Sequence, residues 1–229
     1  MKNIYLLFLL LILTGCNSSQ SVVDTPENNY SYLALGDSYT IGEGVPQKDR
    51  WPVQLVEALN DRGFKVAPPR ILAKTGWTTQ NLIEAMNSEI NVQRDFDLVS
   101  ISIGVNNQFQ GLGSSDYEEE LREIFRKAIY HSKRLEKGVF ALSIPDYGVT
   151  PFGQANAEEI RKEINEFNRV FREVAEDFDV AFYNITPISR EAANDASLLT
   201  DDNLHPSGFM YRLWVQDIVN EVAEKLRKN

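Results

Sequence analysis

From residue 30 onward, short apolar runs alternate with stretches in which apolar residues recur every three or four positions. The runs fall at 32–36, 70–73, 98–104, 139–144 and 180–184, the second being the weakest. They are rich in Val, Ile, Leu and Phe and nearly continuous rather than alternating. Strands with that pattern are covered on both faces, as in a parallel sheet.

The intervening stretches read as amphipathic helices. One covers 51–60, where Pro52 suits a first helical turn. A second covers 79–90. Ser115 and Glu118 have the spacing of a capping box, opening a helix that carries Leu121, Ile124, Phe125, Ala128 and Ile129 on one face. Another carries Ile160, Ile164, Phe167, Phe171, Val174 and Phe178. The last starts near Ser207 and carries Trp214, Ile218 and Val222. Strand and helix alternating five times predicts an α/β fold, a three-layer α/β/α sandwich on a parallel five-stranded sheet. Ligands of such sheets bind at the carboxyl ends of the strands.

The start of the chain changes the picture of where the protein resides. Ile4 to Leu13 is one unbroken apolar run, too short to span a bilayer but suited to a signal-peptide core. It ends in Leu13-Thr14-Gly15-Cys16, which resembles the bacterial lipoprotein lipobox. Cys16 is the only cysteine and sits where that pattern demands it. The expected organisation is a signal peptide at 1–15, a flexible tether at 16–28 beginning at a lipid-bearing Cys16, and one domain at 29–229. The lipid would hold the protein to a membrane of the cell envelope. Asn17, rather than Asp, points to an outer membrane where the cell has one. Losing 1–15 removes Lys2 and no acid, so the formal charge moves from −10 to −11. So acidic a body repels phosphate backbones, and no nucleic-acid partner is expected. With two histidines and no spare cysteine, a zinc site of the usual ligands is not expected either.

Chemistry is sought in the segment after each strand. The first is followed by Gly36-Asp37-Ser38, the second by Lys74-Thr75-Gly76-Trp77, the third by Gly104-Val105-Asn106-Asn107 and the fourth by Asp146-Tyr147-Gly148. The fifth is followed, further on, by Asp201-Asp202-Asn203-Leu204-His205-Pro206. A serine hydroxyl needs a base to become a nucleophile, and His205 is the natural one. Asp202, three residues earlier, can hold the imidazole. Asp201 has the spacing of a helical turn, which Pro206 and the loop composition argue against. Donors for a developing oxyanion are the backbone N–H groups of Ser38 and Gly76 and the side-chain amide of Asn106. His131 lies on a charged helix away from every strand end. Asp37 reads as a turn acceptor, Glu118 to Glu120 as a solvated helix face, and Trp77 and Tyr147 as either acyl-pocket or core residues.

Ser38, Gly76, Asn106 and His205, in that order, resemble the four blocks of the SGNH hydrolases, also called the GDSL family. The resemblance runs from about residue 30 to the final helix. It implies a flavodoxin-like sandwich, hydrolysis of esters, thioesters or O-acetyl groups, and no metal or other cofactor. It also implies a triad of Ser38, Asp202 and His205, with Ser38, Gly76 and Asn106 as the oxyanion hole. Tyr39 stands where Leu is usual. Asn107 stands where Asp is common, which touches how the third block is pinned. The leading expectation is an envelope-anchored esterase or acylhydrolase, and the short segment from Gly111 to Ser115 predicts an open site favouring short acyl chains. A carbohydrate O-acetylesterase is the alternative, less favoured because no carbohydrate-binding module is appended. A non-catalytic binding lipoprotein is the alternative from another class.

Overall fold

A computed structural model describes residues 30–90 and 95–227. The expected signal peptide, the tether and Cys16 lie outside the described residues. Five parallel strands form one sheet: β1 (Tyr32–Gly36), β2 (Arg70–Ala73), β3 (Leu98–Ser102), β4 (Val139–Leu142) and β5 (Ala181–Tyr183), in the order β2-β1-β3-β4-β5. β3, β4 and β5 are each shorter than their apolar runs, because the chain leaves the sheet to form the loops that carry the site. β1, β3 and β4 are buried at every position, whereas the edge strands β2 and β5 are only partly covered.

Helices follow the strands: α1 (Ser38–Ile41), α2 (Trp51–Asn60), α3 (Thr79–Glu89), α4 (Val105–Phe109), α5 (Ser114–His131), α6 (Ala157–Asp177), α7 (Thr186–Arg190) and α8 (Gly208–Arg227). α2 packs on α8, while α5 packs on both α3 and α6. From β1 the chain steps one way to β2 and then back across to β3. Right-handed crossovers therefore place these two helical groups on opposite faces of the sheet. The core is continuous through all three layers, with Trp51, Trp214, Tyr117, Phe125, Phe140 and Phe171 among its largest buried side chains.

Two helix starts differ from expectation. α5 begins after Gly113 with no side-chain cap, because Glu118 pairs with Arg122 at 3.0 Å instead of reaching back to Ser115. The capping box lies on α3, where the Thr78 hydroxyl accepts the Asn81 N–H and the Asn81 amide oxygen accepts the Thr78 N–H. Behind the loop that precedes α8, Gln54 of α2 donates to the carbonyls of Asp49 and Gly208 at 2.7 and 2.9 Å, tying the first residue of α8 to the opening part of the domain.

Candidate active site

The end of β1 shows why its residues are small and polar. A Cβ on Gly36 would stand 2.5 Å from the Ser102 carbonyl and closer still to Thr40, so only glycine lets the chain turn so tightly against β3. Asp37 then caps α1, its carboxylate accepting the Tyr39 N–H at 3.0 Å. That is the turn-acceptor role expected of it. Burial pushes the Asp37 carboxyl up to about 7, against the pull of its backbone hydrogen bonds. Ser38 is the first residue of α1, and the helix's first backbone bonds run from Thr40 and Ile41 to the Asp37 carbonyl. The Ser38 N–H thus lies ahead of the helical ladder, where helices leave their donors open.

The loop before α8 assembles an acid and a base within four residues. The His205 ring meets Asp202 Oδ2 through Nδ1 at 2.6 Å. Asp202 Oδ1 accepts the N–H groups of Leu204 and His205, each at 2.9 Å, and the Thr200 hydroxyl at 2.7 Å. Partial burial opposes the charge on Asp202, but these bonds outweigh it and hold the carboxyl well below the usual range. The turn requires Asn203 at φ +60°, a conformation that Asn tolerates better than most residues. With Nδ1–H donating to Asp202, the Nε2 lone pair of His205 is left to accept a proton. Tyr39 flanks the ring, 5.6 Å between centroids. It is Asp202, not Asp201, that holds the histidine.

The second block is a tight turn closed by the Trp77 N–H on the Lys74 carbonyl at 3.2 Å. Its third residue, Gly76, has φ +83°, and a Cβ there would meet no atom of the described residues within 4 Å. Glycine is required by the backbone angle rather than by crowding. In the third block Gly104, at φ +127°, lies against Tyr117. Asn106 donates to the Trp77 carbonyl at 2.8 Å, which leaves its second amide hydrogen without a partner among the described residues. Asn107 is buried; its oxygen accepts the Thr79 N–H at 3.0 Å and its nitrogen donates to the Thr79 hydroxyl at 2.5 Å. That hydroxyl in turn donates to Glu120. The acidic stretch of α5 is therefore only partly a solvated face.

Ser38, Gly76, Asn106 and His205 line one cavity of about 180 Å³ together with Tyr39, Thr75, Val105 and Leu204. The rim holds Phe109, Tyr147 and Phe152. Tyr147 is placed by Asp146, whose buried carboxylate accepts Arg190 Nε at 2.9 Å and the Gly148 N–H at 3.0 Å. Of the two aromatics singled out in the sequence, Tyr147 lines the cavity and Trp77 packs against the core. Phe109 and Phe152 escaped sequence reasoning. The only available signal was Phe109 standing four residues after Val105, on one face of a helix. His131 lies at the opposite, amino-terminal edge of the sheet, where its carbonyl accepts the N–H groups of Asp95 and Phe96 ahead of β3.

A serine at a strand-to-helix turn, a histidine–aspartate pair and several convergent donors above one parallel sheet define the class: an α/β/α ester hydrolase. The chain belongs to the GDSL-like lipase/acylhydrolase family, whose model matches residues 34–213, more than half its length. No curated protein sequence matches it. Solved structures share the fold at low identity. The psychrotrophic esterase EstA from Pseudoalteromonas sp. is 17% identical with a TM-score of 0.66, covering 87% of this chain and 100% of its own. The lipase/acylhydrolase from Enterococcus faecalis is 21% identical with a TM-score of 0.64, covering 86% and 96%. Axe2, an acetylxylan esterase from Geobacillus stearothermophilus, is 19% identical with a TM-score of 0.66, covering 85% and 94%.

Proposed function

We propose that the protein hydrolyses short-chain carboxylic esters through a triad of Ser38, His205 and Asp202, anchored at the cell envelope by a lipid on Cys16. His205 Nε2 takes the Ser38 proton as Oγ attacks the ester carbonyl. The N–H groups of Ser38 and Gly76 and the free amide hydrogen of Asn106 receive the developing oxyanion. His205 then returns the proton to the departing alcohol, leaving an acyl-serine. Water, deprotonated by His205, attacks that ester and releases the acid and the serine. Asp202 keeps the imidazole in the required tautomer and stabilises its charged form.

The observation that carries this reading is the convergence of Ser38, Gly76, Asn106 and the Asp202-held His205 on one cavity. Its size supports the acyl preference: about 180 Å³ compares with the roughly 150 Å³ that accommodates a benzene ring, so an acyl group of up to about six carbons fits. The test is hydrolysis of p-nitrophenyl esters from acetate to palmitate by the purified full chain and by Ser38→Ala. Turnover by wild type that peaks at short chains and is lost in Ser38→Ala supports the mechanism. Full activity in Ser38→Ala ends it. Failure of a fluorophosphonate to label the folded protein would favour the binding-lipoprotein reading instead.

Carbohydrate O-acetyl esters are the second reading. A polar cleft adjoining the catalytic cavity supports it, as does the shared fold of an acetylxylan esterase.

A further inference from the structure

Phe109 and Phe152 are 58% and 52% exposed although both are large and apolar. Their ring centroids lie 6.2 Å apart, and each lies beside Tyr147, at 6.2 and 6.3 Å. The three rings form a ledge at the lip of the catalytic cavity. An apolar cluster kept at the surface next to a reactive serine marks a contact site. On its far side the ledge borders a second cleft of about 410 Å³, whose walls include Gln108, Asn156, Glu159 and Glu163. Gln108 donates to Glu163 at 2.7 Å and so braces that carboxylate at the cleft wall.

We propose that this ledge and cleft hold the alcohol half of the substrate, and that this half is an uncharged sugar ring. The proposal rests on the ester-hydrolase reading. An ester bound at Ser38 sends its acyl group one way and its alcohol the other. The small cavity suits the acyl group, so the alcohol faces the larger cleft. A long alkyl chain in that cleft would lay methylene groups against Glu159 and Glu163, exchanging water for nothing that satisfies the carboxylates. An anionic headgroup would meet the same two charges, and Glu43, which accepts from the hydroxyl of the cavity-lining Thr75, adds a more distant third. Lys74, the nearest basic residue in the turn sequence, lines neither cavity. A pyranose satisfies both surfaces. One face of C–H groups lies on Phe109 and Phe152, and its rim hydroxyls donate to the carboxylates and exchange hydrogen bonds with Asn156.

The decisive measurement is kcat/KM of the full chain on three acetate esters: ethyl acetate, a monoacetylated methyl xyloside, and its acetylated glucuronoside counterpart. Ethyl acetate leaves the ledge empty and reports the catalytic machinery alone. The neutral sugar ester should exceed ethyl acetate by about tenfold, and Phe152→Ala should cut that ratio by about tenfold, the size of one aromatic stacking contact. The anionic sugar ester should be the poorer of the two sugars, and Glu159→Gln should narrow that gap. A ratio unmoved by both Phe109→Ala and Phe152→Ala overturns the proposal, as does a wild-type preference for lysophosphatidylglycerol over the acetylated xyloside. If none of the three acetates is turned over, the esterase reading fails. Calorimetric binding of the acetylated xyloside to Ser38→Ala, weakened or not by adding Phe152→Ala, then decides the sugar site by itself.

Discussion

Replacing Asn107 by the Asp common at its position should destabilise this protein. The Asn107 oxygen is committed to the Thr79 N–H, which fixes the amide so that its nitrogen donates to the Thr79 hydroxyl. That hydroxyl therefore gives its one hydrogen to Glu120. In Asn107→Asp two carboxylates compete for a single hydrogen through one oxygen, which holds them about 5 Å apart. At an effective dielectric of about 20 their repulsion is about 3 kcal/mol. Glu120 is only partly buried, so solvent screening reduces this to about 1–2 kcal/mol. For a domain of this size that lowers Tm by about 3–6 °C.

The compensating change is Glu120→Gln. In the double variant the amide introduced on α5 can donate to the Thr79 hydroxyl, which then donates to the carboxylate introduced on α4. The chain of bonds runs in reverse with every partner satisfied. Chemical denaturation at pH 7.5 of wild type, both single variants and the pair gives the cycle. Coupling should be favourable by about 1–2 kcal/mol. The penalty in Asn107→Asp should also shrink on acidification. A carboxyl whose folded pKa is raised costs nothing below its unfolded pKa and costs progressively more as pH rises to the folded value. Wild-type stability in Asn107→Asp, or no rescue by Glu120→Gln, refutes the bonding scheme.

Other outcomes follow from the site. Asp202→Asn should lower kcat by about 10⁴ while leaving the fold intact, because the amide favours the wrong histidine tautomer; steady-state kinetics with circular dichroism checks this. Since the Asp202 carboxyl is held below its ordinary range, its share of stability is present above the unfolded pKa and is lost as pH falls toward the folded one. Asp202→Asn should therefore flatten the acid limb of a stability-against-pH curve. Asp37, pushed up to about 7, acts in the opposite sense: wild type loses stability as pH rises from about 4 to about 7, by at most about 4 kcal/mol. Asp37→Asn keeps the acceptor for the Tyr39 N–H, so at pH 8 it should equal or exceed wild type in urea. Gly76→Ala meets no steric block but must adopt φ +83°. About 1 kcal/mol of stability should be lost, with a larger loss in kcat than in KM if its N–H faces the transition state.

What the sequence revealed and what it hid divide along a physical line. The three central strands were legible because burial on both faces demands nearly continuous apolar runs, as at Leu33, Leu35, Val99 and Ile101. The site blocks were legible because tight strand-end turns need particular residues: Gly36 for the approach to β3, Gly76 for its positive φ, and Asn203 for the acid–base turn. The capping box was misplaced because Ser115–Glu118 and Thr78–Asn81 are equivalent as spacings, and the competing i,i+4 pairing of Glu118 with Arg122 was passed over. The links from Glu120 to Thr79 and Asn107 join residues from three separate elements, and no local pattern announces them. Phe109 and Phe152 were hidden for the same reason. A phenylalanine in a sequence reads as core, and only the fold shows that these two face outward beside Ser38.

The bridge from Gln54 to the first residue of α8 has a temporal consequence. In the proposed triad the serine is on the first helix of the domain, while the histidine and aspartate come from the last loop, immediately before the final helix. A chain that has not yet docked α8 already contains Ser38 but lacks the base and acid proposed to activate it. On that mechanism competence requires the loop before α8 to be docked against the first helix, whatever order the layers follow. Under the proposed mechanism a C-terminally clipped molecule should be chemically silent, and the appearance of turnover during refolding would report docking of the loop before α8.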